Sequence, residues 1–182
     1  MFPNLCPGAV GIRPRDIAEA VRIAKSFGVR GVDLNIEDPG RYGVDRTKAV
    51  LADRGMRIGG WVLPVEVGGS DEEFRADLEE LPKWASLLSQ FGSKAFITYM
   101  MTASNEFPYE ENFERMRRRF REIGLILKDH GWVFGVEFLG PKTIRSSFRH
   151  GFVHDLPGML ELCDAVDTGN MGVLLDSWHW YT

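Results

Sequence analysis

Residues 14–34, PRDIAEAVRIAKSFGVRGVDL, contain the pattern that decides the fold: an amphipathic helix followed at once by a short apolar strand. Pro14 suits the first position of a helix, and Gly28 stands where the glycine that ends a helix belongs. Between them the apolar residues recur with helical spacing. They are Ile17, Ala20, Val21 and Ala24. The pattern predicts a helix over residues 14–27 and a strand over residues 28–34.

The same helix-and-strand unit recurs along the chain. Further helices are predicted over residues 45–54, 71–91, 110–130 and 156–165. Further strands are predicted over residues 4–7, 57–63, 94–99, 132–138 and 172–175. Pro82 falls inside the helix over 71–91 and is predicted to kink or divide it. Strands that alternate with helices imply crossover connections and a parallel sheet, and the largely apolar strands indicate a sheet covered on both faces.

The length bears on how the sheet is arranged. Each strand-and-helix unit takes about 30 residues, so a closed barrel of eight units needs about 250 residues. The chain has 182 residues. The pattern leaves two architectures open, an open parallel sheet of six strands or a barrel of which about six βα units are present. No linker or change of composition interrupts the pattern, which predicts one domain over residues 1–182.

Composition and charge exclude several classes of protein. Hydrophobic residues make up 44% of the chain and charged residues 26%, as in a globular domain rather than a disordered, collagen-like or disulfide-stapled one. The net charge of −4 argues against a nucleic-acid partner. No apolar stretch reaches the roughly 18 residues of a membrane helix, and no signal peptide is visible. Cys6 and Cys163 are expected to be buried, unpaired thiols, which favours the cytoplasm.

Two strand ends carry the residues most suited to chemistry, because ligands bind at the carboxyl ends of parallel strands. Glu137 ends a buried strand, where a carboxylate is costly unless a metal, a cation or hydrogen bonds compensate it. Asp176 and His179 follow the next strand, and carboxylate and imidazole often share one divalent ion. The alternatives are a structural ion pair for Glu137, a helix cap for Asp176 and packing for His179. Together the three residues predict a metal site.

Four further features are candidates on the same edge. Lys142 and Arg145 follow Glu137 and can bind a substrate phosphate or carboxylate; the alternative is that both are solvated loop charges. Trp61 stands at a strand end and is a candidate for substrate contact or plain packing. The long insert over residues 143–155 is typical of a lid.

Val136-Glu137-Phe138 and the run Gly172-Val-Leu-Leu-Asp-Ser-Trp-His179 resemble the xylose-isomerase-like TIM barrels. That family includes sugar phosphate isomerases and epimerases, inosose dehydratases, ketose 3-epimerases and the endonuclease IV branch. The spacing of the βα units extends the resemblance over the whole chain, and implies a (β/α)8 TIM barrel. It also implies that Glu137 and Asp176 bind a divalent metal, that Glu137 moves a proton, and that His179 contacts substrate or a further metal.

The sequence departs from the family pattern in two places. Family members usually carry further ligands, a His or Asp and then a Glu, on strands seven and eight, which the 182 residues do not include. The chain by itself is therefore expected to be inactive and prone to self-association. The nuclease branch has His residues after strands three and four, where this sequence has Leu63-Pro64 and Tyr99-Met100. For that reason the sequence favours the isomerase, epimerase and dehydratase branches of the family over a DNA-repair endonuclease.

The resemblance implies a metal-dependent sugar or sugar-phosphate isomerase or epimerase, or an inosose-type dehydratase, of carbohydrate metabolism. Such an enzyme abstracts a proton next to a carbonyl and stabilises the enediolate. The expected cofactor is Mn²⁺, Mg²⁺, Co²⁺ or Zn²⁺, and the expected partner is a small sugar or sugar phosphate rather than nucleic acid or membrane. The sequence leaves open whether the protein forms a homo-oligomer. The alternative is a non-catalytic barrel remnant that binds a small molecule.

Overall fold

The computed structural model describes residues 2–182, which form two compact units. Unit 1 comprises the described residues up to Val62 together with Trp84–Ala95. Unit 2 comprises Leu63–Lys83 and Phe96–Thr182. That the whole chain is one domain stays a prediction. No helix in the described range combines the length and hydropathy needed to cross a membrane.

Unit 1 contains a small parallel sheet. Its elements are β1 (Asn4–Leu5), α1 (Ile17–Ser26), β2 (Gly31–Val32), α2 (Asp38–Tyr42), α3 (Val44–Asp53), β3 (Arg57–Ile58) and β4 (Trp61–Val62). The order β1-β2-β3 is parallel throughout, with Leu5 opposite Val32 and Val32 opposite Ile58. The predicted parallel pairing is therefore confirmed for these strands.

Helix α1 shows how side chains set the ends of an element. The Asp16 side chain accepts a hydrogen bond from the Glu19 backbone N–H, so the helix begins at Ile17 rather than at the predicted Pro14. Its predicted apolar face is buried. The residues are Ile17, Ala20, Val21 and Ala24. Gly28 follows with φ +71°, the left-handed conformation that ends a helix.

The strand predicted over residues 57–63 is interrupted at Gly59 and Gly60, which separate β3 from β4. The Asn4 side chain lies so close to Gly59 that a Cβ there would meet its amide group at 2.5 Å. The Gly60 N–H donates to the Asp33 carboxylate at 3.3 Å. At the break between β3 and β4, the chain thus contacts the side chains of Asn4 and Asp33.

Unit 2 carries the longer strands. The remaining elements are α4 (Asp71–Leu88), which has residues in both units, β5 (Ala95–Met100), β6 (Ala103–Ser104), α5 (Tyr109–Asp129), β7 (Val133–Phe138), α6 (Lys142–Arg145), β8 (His150–Gly151), α7 (Leu156–Val166), β9 (Met171–Val173) and α8 (Ser177–Tyr181). In its sheet β7 lies between β5 and β9, and β7 and β9 are parallel. Pro82 lies inside α4, which continues without a break from Asp71 to Leu88, so of the two predicted effects the division does not occur and the kink stays a prediction.

Successive residues of strand β7 alternate between buried and more exposed positions. Phe134, Val136 and Phe138 are buried, with Phe134 packed on Phe120 of α5 at 6.2 Å between ring centroids. Because successive residues of a strand point to opposite faces, Glu137 lies on the other face, where it is half-buried. The apolar anchors on one face therefore fix the carboxylate on the other.

The insert over residues 143–155 contains regular secondary structure. Strand β8 within it pairs antiparallel with β6, Gly151 opposite Ala103 and His150 opposite Ser104. The Phe152 N–H also donates to the Thr102 carbonyl at 2.8 Å. These contacts attach the insert to the segment that follows β5.

The two cysteines are both free, but only one is shielded. Cys6 is exposed, so the expectation that it is buried is wrong. Cys163 is half-buried on α7, and burial together with the nearby Asp164 carboxylate raises the pKa of its thiol to about 11. The Cys163 thiol is therefore protonated at neutral pH.

Candidate metal centre

Glu137, Asp176 and His179 converge in unit 2. Each offers one ligand atom, and these atoms all lie within 4.8 Å of one another. Glu137 is in β7, Asp176 immediately precedes α8, and His179 lies within α8. The expected approach of the three side chains is confirmed; their role as ligands stays a prediction.

The pairing of β7 with β9 creates this convergence. Val136 lies opposite Val173, and the Leu174 N–H donates to the Val136 carbonyl at 3.0 Å. The residues that follow the two strands therefore leave the sheet at the same edge. Asp176 Oδ1 accepts from the Trp178 N–H at 2.7 Å and begins α8. This bond engages one carboxylate oxygen, and the helical turn that it starts carries His179 to the same place.

The electrostatics of the cluster favour a cation. Burial raises the pKa of the Glu137 carboxyl above its ordinary value; the His179 charge opposes this shift and the Asp176 carboxylate reinforces it. Asp176 and His179 are thus the charged groups that shift the pKa of Glu137. Two neighbouring carboxylates, one partly desolvated, are stabilised by a positive ion between them.

The donor set fits a divalent metal. His179 Nδ1 is buried and has no hydrogen-bond partner within residues 2–182. A buried polar nitrogen without a partner is costly, and a metal would satisfy it. Two carboxylate oxygens and one imidazole nitrogen suit Mn²⁺, Co²⁺ or Zn²⁺, and Mg²⁺ through the oxygens.

Gly140, in the loop after β7, supports α8, and Arg145 of α6 holds this loop. A Cβ on Gly140 would overlap the His179 carbonyl oxygen, so the Gly140 backbone lies directly against the helix that carries this ligand. Arg145 Nη1 donates to the Gly140 carbonyl. Sequence reasoning missed Gly140, and only the glycine in Leu139-Gly140-Pro141 hinted at a close approach.

We expect Gly140→Ala to displace α8 and weaken Mn²⁺ binding by about tenfold, as for lost support of a metal ligand. The added methyl group should also lower the free energy of unfolding by about 1–3 kcal/mol through overpacking. Isothermal titration with Mn²⁺ and thermal melting measure the two effects. Gly151→Ala is the matched control, since nothing lies within 4 Å of a Cβ at that position. Equal Mn²⁺ affinities for both variants would contradict this supporting role.

The other predicted site residues differ in their surroundings. Lys142 is exposed at the first position of α6, whereas Arg145 is half-buried and bound to Gly140. Trp61 belongs to unit 1, is fully buried and packs edge-on against Phe91 at 5.7 Å between ring centroids. A ring with no exposed surface acts as a packing residue, so Trp61 has no place in the function proposed below.

Unit 1 has a cleft of its own, of about 440 Å³. Asp33 lines it and accepts from the Asn4 amide at 2.7 Å as well as from Gly60. Burial raises the pKa of the Asp33 carboxyl, although these hydrogen bonds oppose the shift. This strand-end carboxylate is thus held by two protein donors.

Comparison with known proteins identifies the class. The family model described as xylose isomerase-like TIM barrel matches residues 21–182. The chain therefore belongs to the xylose isomerase-like TIM barrel family, and the fold predicted from sequence is confirmed. Comparison with curated protein sequences gives no significant match.

Solved structures agree with this assignment. A xylose isomerase domain protein from Alicyclobacillus acidocaldarius is 26% identical, with a TM-score of 0.86 over 98% of this chain and 64% of its own. An IolI protein with a bound zinc atom is 14% identical, with a TM-score of 0.79 over 100% of this chain and 64% of its own. D-psicose 3-epimerase from Clostridium cellulolyticum H10, solved with D-tagatose, is 13% identical, with a TM-score of 0.74 over 98% and 64%. The last two likenesses show the fold alone.

The chain spans about 64% of the length of these three structures. This share fits the prediction that about six of eight βα units are present.

Proposed function

We propose that this chain carries the metal-binding part of a sugar or sugar-phosphate isomerase or epimerase, or of an inosose-type dehydratase. The observation that carries the proposal is the convergence of Glu137, Asp176 and His179 within 4.8 Å at the end of parallel strands. Family membership supports an enzyme of this class. The fold neighbours include a zinc-bound protein, a ketose epimerase and a probable dehydratase, which supports the choice of chemistry.

The proposed reaction begins with proton transfer from the substrate to Glu137. When bound, a divalent ion supplies a Lewis acid that makes the C–H bond beside a carbonyl more acidic. A Glu137 carboxylate oxygen takes the proton, and the electron pair of the C–H bond moves toward the carbonyl to form the enediolate. Returning that proton to the same or the neighbouring carbon gives an epimer or an isomer, and loss of hydroxide instead gives dehydration.

Asp176 and His179 have different parts in this proposal. Asp176 contributes a charged oxygen to the ion while its Oδ1 holds the start of α8. His179 offers Nδ1 to the ion or to a substrate hydroxyl. We also propose a cytoplasmic location, which fits the two free thiols, and a small sugar or sugar phosphate as the partner.

A substrate screen with and without EDTA tests the proposal. Protein from the complete reading frame is assayed on ketoses, ketose phosphates and inososes, before and after chelation and after addition of Mn²⁺, Mg²⁺, Co²⁺ or Zn²⁺. We expect turnover that EDTA abolishes and one of these ions restores. Turnover that survives complete removal of metal would overturn the proposed mechanism. Ligand binding without turnover would favour the alternative of a small-molecule-binding barrel remnant.

A further inference from the structure

Tyr99 is an exposed aromatic residue near the carboxyl end of strand β5 in unit 2. It is 57% exposed, whereas the next residue, Met100, is 2% exposed. The carboxyl ends of parallel strands are where such sheets bind ligands. The position of Tyr99 relative to the candidate metal centre therefore decides what its ring can contact.

The packing of β5 on β7 shows which face of the sheet Tyr99 occupies. Phe96 of β5 stacks on Trp132, which directly precedes β7, at 4.4 Å between ring centroids. Trp132 is buried and stands two residues before Phe134, so it continues the buried face of β7. Phe96 therefore lies on that face as well. Because Tyr99 is an odd number of residues from Phe96, it lies on the opposite face, which is the face of Glu137.

The same stacking shows where Tyr99 lies along the sheet. Strands β5 and β7 are neighbours, and neighbouring strands that are joined through a helix run parallel. The 4.4 Å between the stacked rings is close to the roughly 4.8 Å between neighbouring strands, so Phe96 and Trp132 are level with each other. Three residues further along each strand, Tyr99 is level with Gly135. Glu137 follows Gly135 on the same face, after two steps of about 3.3 Å.

Glycines form the sheet surface beside Tyr99. Gly135 lies opposite Gly172 of β9, so the next two positions across the sheet are both glycines. Within residues 2–182, nothing beyond its chain neighbours lies within 4 Å of a Cβ on Gly172, and a Cβ on Gly135 would come no closer than 3.4 Å to Leu174. The surface between the Tyr99 ring and the Glu137 carboxylate therefore has room for a small molecule.

We propose that Tyr99 contacts the substrate and determines specificity for it. This inference rests on the proposed function and adds a substrate-contact residue to it. The carbonyl end of the substrate lies at Glu137, and its remaining carbons extend over Gly135 to the Tyr99 ring. Tyrosine suits a sugar at this place, because its ring packs against C–H groups while its hydroxyl exchanges hydrogen bonds with sugar hydroxyls. Tyr99 thus selects the part of the substrate that does not react.

Isothermal titration of the Mn²⁺-loaded complete protein tests this contact. The probes are D-tagatose, D-fructose 6-phosphate and myo-inositol, one each for ketoses, ketose phosphates and cyclic polyols. We expect saturable binding of at least one probe by the wild type. Tyr99→Phe keeps the ring and removes one hydrogen bond, so it should weaken that probe by about fivefold. Tyr99→Ala removes both contacts and should weaken it by more than about tenfold.

Tyr109→Phe is the matched control. It removes the same hydroxyl group from an exposed ring on α5, and phenylalanine keeps the ring contacts with Phe113 and Phe152. Probe affinity should change by less than about twofold in this variant. Mn²⁺ affinity should stay within about twofold of the wild-type value in all three variants, because none of them changes a proposed metal ligand.

Thermal melting separates substrate contact from packing. Weaker probe binding in Tyr99→Ala at an unchanged melting temperature supports the contact. The same loss with a lower melting temperature, and with wild-type probe affinity in Tyr99→Phe, would assign Tyr99 to packing and overturn the inference. Unchanged probe affinity in Tyr99→Ala, or a Mn²⁺-loaded wild type that binds none of the probes, would overturn it as well. Failure of the wild type to bind Mn²⁺ would instead overturn the proposed function.

Discussion

Replacing Glu137 by glutamine should reduce kcat of the complete protein by about 10²–10⁴-fold, the usual contribution of a general base. Glutamine matches glutamate in size, but its amide neither takes up a proton at neutral pH nor attracts a cation as a carboxylate does. The affinity for Mn²⁺ should therefore fall as well. Steady-state kinetics and isothermal titration measure the two losses.

Without metal, Glu137→Gln should leave the fold intact and raise its melting temperature slightly. Burial raises the pKa of Glu137, so the ionised carboxylate costs folding free energy at neutral pH, and this cost disappears in the variant. Glu161→Gln is the control, because Glu161 is exposed on α7 and should keep wild-type turnover. Near-normal kcat in Glu137→Gln would remove this residue from the proton-transfer step.

Asp176→Asn should weaken Mn²⁺ binding by more than about 100-fold. The loss is larger than for a residue that only orients a metal ligand, because Asp176 is proposed to bind the ion directly. Asparagine is as good a helix cap as aspartate, so its side-chain oxygen still accepts from the Trp178 N–H. The variant thus removes the charge while α8 and His179 keep their place. Mn²⁺ titration together with circular dichroism measures both properties.

Asp176→Ala is the comparison that separates charge from capping. It removes the ligand and the cap together, so it should cost about 1 kcal/mol of stability that Asp176→Asn keeps. Wild-type Mn²⁺ affinity in Asp176→Asn would show that Asp176 serves only as a cap, the alternative that the sequence left open.

The regular elements were predictable because their signals repeat over several turns. Helices α3, α5 and α7 begin and end within one residue of the ranges predicted from apolar spacing and glycine stops. The short helices α2, α6 and α8 were not predicted, because four or five residues are too few to show a helical period. The pairing of β6 with β8 joins two-residue strands far apart in sequence, which no local pattern reveals.

The centre of the site was predictable for a topological reason. Parallel neighbouring strands end at the same edge, so Glu137 and Asp176 had to approach one another once β7 and β9 paired. The contact between Gly140 and His179 was not predictable, because it depends on how one loop packs against one short helix. The burial of Trp61 against Phe91 also depends on packing between residues distant in sequence.

The central claim is that Glu137, Asp176 and His179 bind one divalent ion. Anomalous diffraction at the manganese edge, from crystals of the protein soaked in Mn²⁺, tests it most directly. We predict a single strong anomalous peak within ligand distance of one oxygen of each carboxylate and of a nitrogen of His179, and its absence in crystals of Asp176→Asn treated alike. A map of the Mn²⁺-soaked wild type with no peak among these three side chains would contradict the account.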